Sequence, residues 1–237
     1  MDPKDRLIVA LDVDSEEKAI QLVDKLKTAV RFFKVGLELF SSRGPSIVKE
    51  LKDRGCEIFL DLKLHDIPTT VSKTAASLTR LGVYMFNVHS LGGYEMMKSS
   101  AEAVRIEAER LKMERPKVLG VTILTSMGEN ELNKIGINDS IKAQVLRLAG
   151  MAKEAGLDGV VASPEEVQEI RKRIGKGFLI VTPAVRPAWA GSNDQKRVAT
   201  PKTAIEAGSD FIVIGRPITE AKDPLSAAKK ILEEIKL

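Results

Sequence analysis

Several residue types are scarce in this chain. Its 237 residues include one cysteine, two histidines and ten aromatic residues (7 Phe, 2 Tyr, 1 Trp). The lone Cys56 excludes an internal disulfide framework and any multi-cysteine zinc or iron–sulfur centre. A reducing, cytoplasmic setting is therefore the expectation. Charge of one sign is also lacking: 37 basic and 33 acidic residues leave a formal net charge of +4. The signs interleave, as in residues 102–115 and 165–176, and no basic block stands out. With so few aromatics, the footprint of a nucleic-acid partner is missing, whereas a small positive excess suits a small anionic ligand. Apolar runs such as residues 7–11 and 211–214 are far too short to span a membrane. The opening Met1-Asp2-Pro3-Lys4-Asp5 has no apolar core of the kind a signal peptide carries. Phosphate-binding Gly-x-x-x-x-Gly-Lys-Ser/Thr, dinucleotide-binding Gly-x-Gly-x-x-Gly after the first strand, His-Glu-x-x-His and Gly-x-Ser-x-Gly are absent too. Readings as a nucleotide-cofactor enzyme, zinc hydrolase or serine hydrolase lose support accordingly.

One pattern does recur from end to end. A short β-branched apolar run is followed by polar punctuation and then by an amphipathic helical stretch. Strands are predicted near residues 6–11, 32–35, 57–60, 85–88, 118–123, 159–161, 178–181 and 211–214. Their unbroken apolar character suits strands buried on both faces of a parallel sheet. Helices are predicted near 15–29, 43–54, 67–81, 92–112, 139–155, 164–175, 201–207 and 224–236. Ser163-Pro164-Glu165-Glu166 reads as an N-cap, a proline at the first helical position and a capping-box glutamate. Asp223-Pro224 opens the last helix in the same manner, and Gly55, Gly82, Gly156 and Gly208 stand where left-handed C-caps form. Eight such alternations point to an α/β fold, a single-domain (β/α)₈ barrel over residues 1–237. A doubly wound open sheet shares the periodicity and is the structural competitor. Two connections, 125–138 and 182–200, are unusually long and follow strands five and seven, where barrels build their active sites.

The C-terminal ends of the predicted strands are oddly polar. Asp12 closes the first, Lys34 lies late in the second, and the third runs into Asp61-Leu62-Lys63-Leu64-His65-Asp66. With a period of two, Asp61 and Lys63 share a face with Phe59. A surface salt bridge is the bland alternative, but charges at three strand ends favour a functional cluster. Flanking carboxylates favour the ammonium form of a lysine, so Lys63 reads as a cation or proton donor and not as a Schiff-base nucleophile. After strand eight, Ile214-Gly215-Arg216-Pro217 offers exposed backbone amides and a guanidinium fork for phosphate, although Gly-Arg-Pro alone is only a turn. Arg186 and Gln195 in the long loop before it are further oxyanion donors. His65 and His89 lack the spacing of a metal pair, and no metal site is expected.

Taken together, these motifs resemble the orotidine 5′-phosphate decarboxylase family. The resemblance rests on Asp61-Leu62-Lys63-Leu64-His65-Asp66-Ile67-Pro68-Thr69-Thr70, on Val9-Ala10-Leu11-Asp12 and Phe33-Lys34-Val35-Gly36, and on Val121-Thr122-Ile123-Leu124-Thr125-Ser126. Thr182-Pro183-Ala184-Val185-Arg186-Pro187, Asp194-Gln195-Lys196-Arg197 and Ile214-Gly215-Arg216-Pro217 complete it. It implies a cofactor-free decarboxylation that makes UMP, with Lys63 stabilising and protonating the C6 carbanion. It further implies a network of Lys34, Asp61, Lys63 and Asp66, the last supplied by the partner subunit of a homodimer. Asp12 and Lys34 would contact ribose hydroxyls, Asp61 would lie near the substrate carboxylate, and Thr70 would reach in across the dimer. Thr125 would mark the loop that reads the pyrimidine; Arg186, Gln195, Gly215 and Arg216 would hold the 5′-phosphate. Two rivals stand beside this reading. Magnesium-dependent sugar-phosphate decarboxylases or aldolases share Asp-x-Lys-x-x-Asp, although a further strand-end acid is expected there in place of Lys34. A non-catalytic phosphoribosyl-ligand sensor is the other, and it would gain nothing from holding like charges near an anion.

Overall fold

The computed structural model describes residues 2–190 and 199–236. Eight parallel strands close into a barrel in chain order: β1 (Leu7–Ala10), β2 (Phe32–Gly36), β3 (Glu57–Leu64), β4 (Met85–His89), β5 (Lys117–Val121), β6 (Gly159–Val161), β7 (Leu179–Thr182) and β8 (Phe211–Ile214). Closure is direct, because β1 pairs with β8 through Leu7 and Ile212 as it does with β2 through Ile8 and Phe32. The open-sheet alternative is thereby excluded.

The unbroken apolar strands divide, residue by residue, into two cores. Ile8 and Ala10 of β1, Phe32 of β2, Phe59 of β3, Met85 of β4, Leu119 of β5 and Phe211 and Val213 of β8 fill the barrel interior. Their immediate neighbours, including Leu7, Val9, Phe33, Ile58, Leu60, Phe86, Val88, Ile212 and Ile214, pack outward under the helices. This two-residue alternation sets the direction of every side chain at the strand ends. Continued past the apolar interior, the inward positions are Asp12, Lys34, Asp61, Asn87 and Gly215.

The opposite, N-terminal end of the barrel is tied by ion pairs. Asp158, just before β6, accepts from the Val118 amide at 2.8 Å and pairs with Arg115. Asp210, just before β8, accepts from the Ile180 amide at 2.8 Å and pairs with Arg171. Glu57 and Asp5 share Arg31 in the same region. Such an arrangement serves stability, leaving the other end for chemistry.

Most helix boundaries follow their caps. Ser15, Ser140, Thr200 and Asp223 each accept from the amide three residues on. Gly55, Gly82, Gly156 and Gly208 all take positive φ. One cap is corrected: Pro164 to Glu166 form a turn closed by the Glu166 amide on the Ser163 carbonyl at 3.1 Å, so the helix starts only at Val167. The helix expected over 43–54 runs Pro45–Asp53, and an unpredicted helix, Leu37–Arg43, precedes it, the two separated at Gly44 with a φ of 64°. A further helix, Glu129–Lys134, orders part of the long connection after β5, and β5 itself ends at Val121 rather than at 123. Among the described residues no helix is long and apolar enough to cross a membrane. Cys56 is buried, and burial pushes its thiol up to about 11, which fits a small core residue.

Two glycines test this packing in opposite senses. A Cβ on Gly159 would stand 2.3 Å from the Leu179 carbonyl oxygen and 2.6 Å from its Cβ, whereas one on Gly150, within helix Ile141–Glu154, would meet nothing within 4 Å. Gly159→Ala should therefore cost about 3 kcal/mol, lowering Tm by roughly 6–12 °C. Gly150→Ala should gain about 0.5–1 kcal/mol. Calorimetry on both variants checks the pair, and equal Tm values would contradict the close approach of β6 to β7.

Candidate active site

The site grows from the inward parity of the first four strands. Lys34, the inward residue after Phe32, is buried, and its Nζ lies 2.7 Å from Asp12 Oδ1 and 3.5 Å from Asp61 Oδ2. Asp61 accepts at Oδ1 from Lys63 Nζ at 2.7 Å. Carboxylates and ammoniums thus alternate in the order Asp12, Lys34, Asp61, Lys63. Gly36, the next inward position of β2, makes room for them: a Cβ there would come within 3.1 Å of both Lys34 Nζ and Asp12 Oδ1.

The expectation that Asp61 and Lys63 converge holds, but not through a regular pleat. Pairing of β3 with β4 is interrupted between Leu60 and Leu64, and Lys63 takes a φ of 52° in the left-handed region. A side chain other than asparagine, aspartate or glycine rarely adopts that conformation, so the surroundings must hold it. Asn87 does so. Its Oδ1 accepts from the Lys63 amide and its Nδ2 donates to Asp61 Oδ1, both at 2.7 Å. Asn87 was missed in the sequence because an amide inside a strand carries no charge. Its inward parity with Met85, between the outward Phe86 and Val88, is the signal that finds it.

Two adjoining clefts open at this mouth. One is lined by Lys34, Asp61, Lys63 and Thr125 and otherwise by apolar groups such as Phe59, Val121, Ile123, Val161, Pro183 and Val213. The other is lined by Asp12, Lys34, Arg186, Gly215 and Arg216. Lys34, Pro183 and Val213 belong to both, so the clefts form one elongated space with a charged, part-apolar end and a cationic end. Arg186 is buried and donates through Nε and Nη2 to the Ala190 carbonyl at 3.2 and 2.8 Å. Gly-Arg-Pro is more than a turn, for it opens the short helix Arg216–Thr219 at the rim. Gly215 faces the cleft, and a Cβ there would meet only Ala10, at 3.4 Å. Packing therefore does not require glycine at this position, which is consistent with close approach of a ligand.

Not every expected residue is gathered here. Asp66 and Thr70 are exposed and line neither cleft of their own chain; Asp66 Oδ1 accepts from the Ile67 amide. Gln195 lies outside the described residues. His65 and His89, remote in sequence, stack with centroids 5.5 Å apart. Burial, with the charges of His65 and Lys63, pushes the His89 imidazole below its usual value. Its Nδ1 accepts from the Leu91 amide, which places the proton of the neutral ring on Nε2. Trp189 is half-exposed, with the Lys230 ammonium 5.9 Å from its ring. Among the described residues no three His, Cys, Asp or Glu side chains are grouped to hold a metal. Between Asp12 and Asp61 the cation is the Lys34 ammonium.

Fold and site together define a (β/α)₈ barrel with an elongated charged cleft at its strand ends. Residues 5–231 match the model of the orotidine 5′-phosphate decarboxylase / HUMPS family. The chain is 52% identical over 99% of its length to an orotidine 5′-phosphate decarboxylase of Syntrophotalea carbinolica, covering 96% of that protein. It is 49% identical to the one from Moorella thermoacetica, over 100% of this chain and 94% of that one. The crystal structure of orotidine 5′-phosphate decarboxylase from Lactobacillus acidophilus superposes with a TM-score of 0.87 at 44% identity, over 98% of this chain and all of that one. The chain belongs to the orotidine 5′-phosphate decarboxylase / HUMPS family.

The Asp61 carboxyl carries a pH consequence. Burial alone would raise its pKa, but the Lys34 and Lys63 charges and the bonds from Lys63 and Asn87 outweigh this and hold it below the ordinary 3.8. A lowered folded value stabilises the protein above the unfolded value, and that contribution is lost as pH falls through the folded one. The stability difference between wild type and Asp61→Asn should therefore be constant near neutrality and shift against wild type below about pH 4. Urea unfolding of both proteins from pH 7 to pH 3 measures it, and a difference independent of pH would refute the assignment.

Proposed function

We propose that this chain decarboxylates orotidine 5′-phosphate to UMP without a cofactor, as one catalytic domain working in a cytoplasmic homodimer. The observation that supports it most strongly is the alternating Lys34, Asp61, Lys63 cluster beside a cationic cleft. The pyrimidine takes the part-apolar end, within reach of Thr125, and the 5′-phosphate takes the cationic end with Arg186, Gln195, Gly215 and Arg216. Asp12 and Lys34, between the two, bind the ribose hydroxyls. The C6–carboxylate bond breaks heterolytically, CO₂ departs and the electron pair remains on C6. Lys63 stabilises that pair by its charge and then donates a proton from Nζ to C6, after which the neutral amine recovers a proton from water. Because the ammoniums are fixed before the reaction, no reorganisation is needed when the carbanion forms. Asp61 keeps both lysines in place and faces the substrate carboxylate; the fixed charge is the firmer source of rate, since ground-state repulsion is a contested account. Binding energy at the remote phosphate supports orientation at C6.

Support for the dimer comes from residues 65–70. They form an exposed run beside the cluster, and Ile67 within it is 66% exposed. Covering this run with a second copy removes apolar surface from water and brings Asp66 and Thr70 to the neighbouring site.

Two experiments test the reading. Lys63→Ala should reduce turnover of orotidine 5′-phosphate by several orders of magnitude while wild-type activity survives EDTA. A loss of less than tenfold, about 1.4 kcal/mol in barrier, would sink the role given to Lys63. Mixing inactive Lys63→Ala with inactive Asp66→Ala chains should restore activity, because a hybrid dimer has one site with both lesions and one with neither. Failure to recover after confirmed subunit exchange would show that the sites are not shared.

A further inference from the structure

Asn87 is fully buried on β4, in register with Leu119 of β5. An amide there is costly unless both of its ends are satisfied. Both are, and by different parts of β3. The Lys63 amide can only donate, so it must meet Oδ1; the ionised Asp61 can only accept, so it must meet Nδ2. The orientation of the carboxamide is therefore forced by its partners. At the point where β3 and β4 lose their ladder, this side chain replaces a backbone acceptor and holds Lys63 in its left-handed conformation. Through the other end it shares Asp61 Oδ1 with Lys63 Nζ, while Oδ2 faces Lys34 Nζ at 3.5 Å.

We propose that Asn87 is a positioning residue for the reaction: one carboxamide fixes both the backbone from which Lys63 reaches the cleft and the carboxylate that aligns its ammonium. This rests on the role given to Lys63 above. The ionisable groups around the bridge are Asp12 from the segment after β1, Lys34 from β2, Asp61, Lys63 and His65 from β3 and its continuation, and His89 from β4.

The two halves of the bridge can be separated by substitution. Asn87→Leu keeps the size and removes both bonds. Asn87→Asp keeps an acceptor for the Lys63 amide but sets a second carboxylate against Asp61. One proton shared by those two carboxyls restores the missing donor, and like charge in contact raises the pH at which that proton is taken up. Steady-state kcat and KM for orotidine 5′-phosphate, Tm, and the Kd of the product UMP are to be measured from pH 5 to pH 9. Misplacement of a reacting group by about 1 Å costs about 100-fold, so both variants should lose about that much kcat at pH 8. KM and UMP affinity should stay within about threefold, because Asn87 lines neither cleft. Relative to wild type, Asn87→Asp should recover about tenfold on acidification to pH 5 whereas Asn87→Leu should not. Turnover by Asn87→Leu within threefold of wild type overturns the proposal. So does an equal loss in both variants at every pH that tracks a lowered Tm, since that is support of the fold and nothing more. Lys63→Ala in the same assay separates the two claims. An inactive Lys63→Ala beside a fully active Asn87→Leu rejects the role of Asn87 alone, and an active Lys63→Ala removes the reading beneath it.

Discussion

Two ammonium groups share one carboxylate at the mouth of this barrel, with Lys34 and Asp61 largely withdrawn from water. Removing such charges from solvent costs several kcal/mol per ion unless partners stand in fixed places. Each partner must consequently be delivered by an element that does not move. Lys34 and Asp61 come from inward positions on adjacent strands, one step beyond the aromatic residues Phe32 and Phe59 that fill the interior. Strand pairing and the packed core beneath set the spacing of the charges, and flexible side chains need settle little of it. The cluster is thus a continuation of the core by other residue types.

The mouth is also divided in its tasks. The segment after β1 and strands β2 and β3 supply the alternating charges, while the segments after β7 and β8 line the cationic cleft with Arg186, Gly215 and Arg216. Lys34 borders both clefts. The cationic lining and the alternating charges are therefore carried by different parts of the chain, and Lys34 is the charged residue common to both clefts. On the proposed reading, such separation lets binding energy gained at one end be used at the other.

Much of this was legible in the amino-acid order, for identifiable reasons. Strands buried on both faces appear as plain apolar runs, so all eight were visible, and charged residues at their ends stood out against that background. Charge is also why Asp12, Lys34, Asp61 and Lys63 were found and Asn87 was not. The bulge at Lys63 was invisible, since it depends on what β4 offers opposite β3 and not on the local sequence. Parity predicted the convergence of Asp61 and Lys63 for the wrong local reason, with a left-handed residue restoring what a broken ladder would have lost. The stacking of His65 on His89 is likewise a product of strand adjacency. The misplaced start at Ser163 shows the limit of capping patterns: serine, proline and glutamate at the right spacing also make an isolated turn.

Gly36 ends the inward row of β2 and contributes no functional group at all. Every possible replacement adds at least a Cβ, 3.1 Å from an ammonium on one side and from a carboxylate on the other. Either charge must then give by a few tenths of an ångström, in a cluster whose closest contacts are 2.7 Å. The position acts on the cluster by a vacancy and not by a reagent. A single methyl group at this otherwise silent site would press on an ammonium and a carboxylate at once and shift the spacing of the whole cluster.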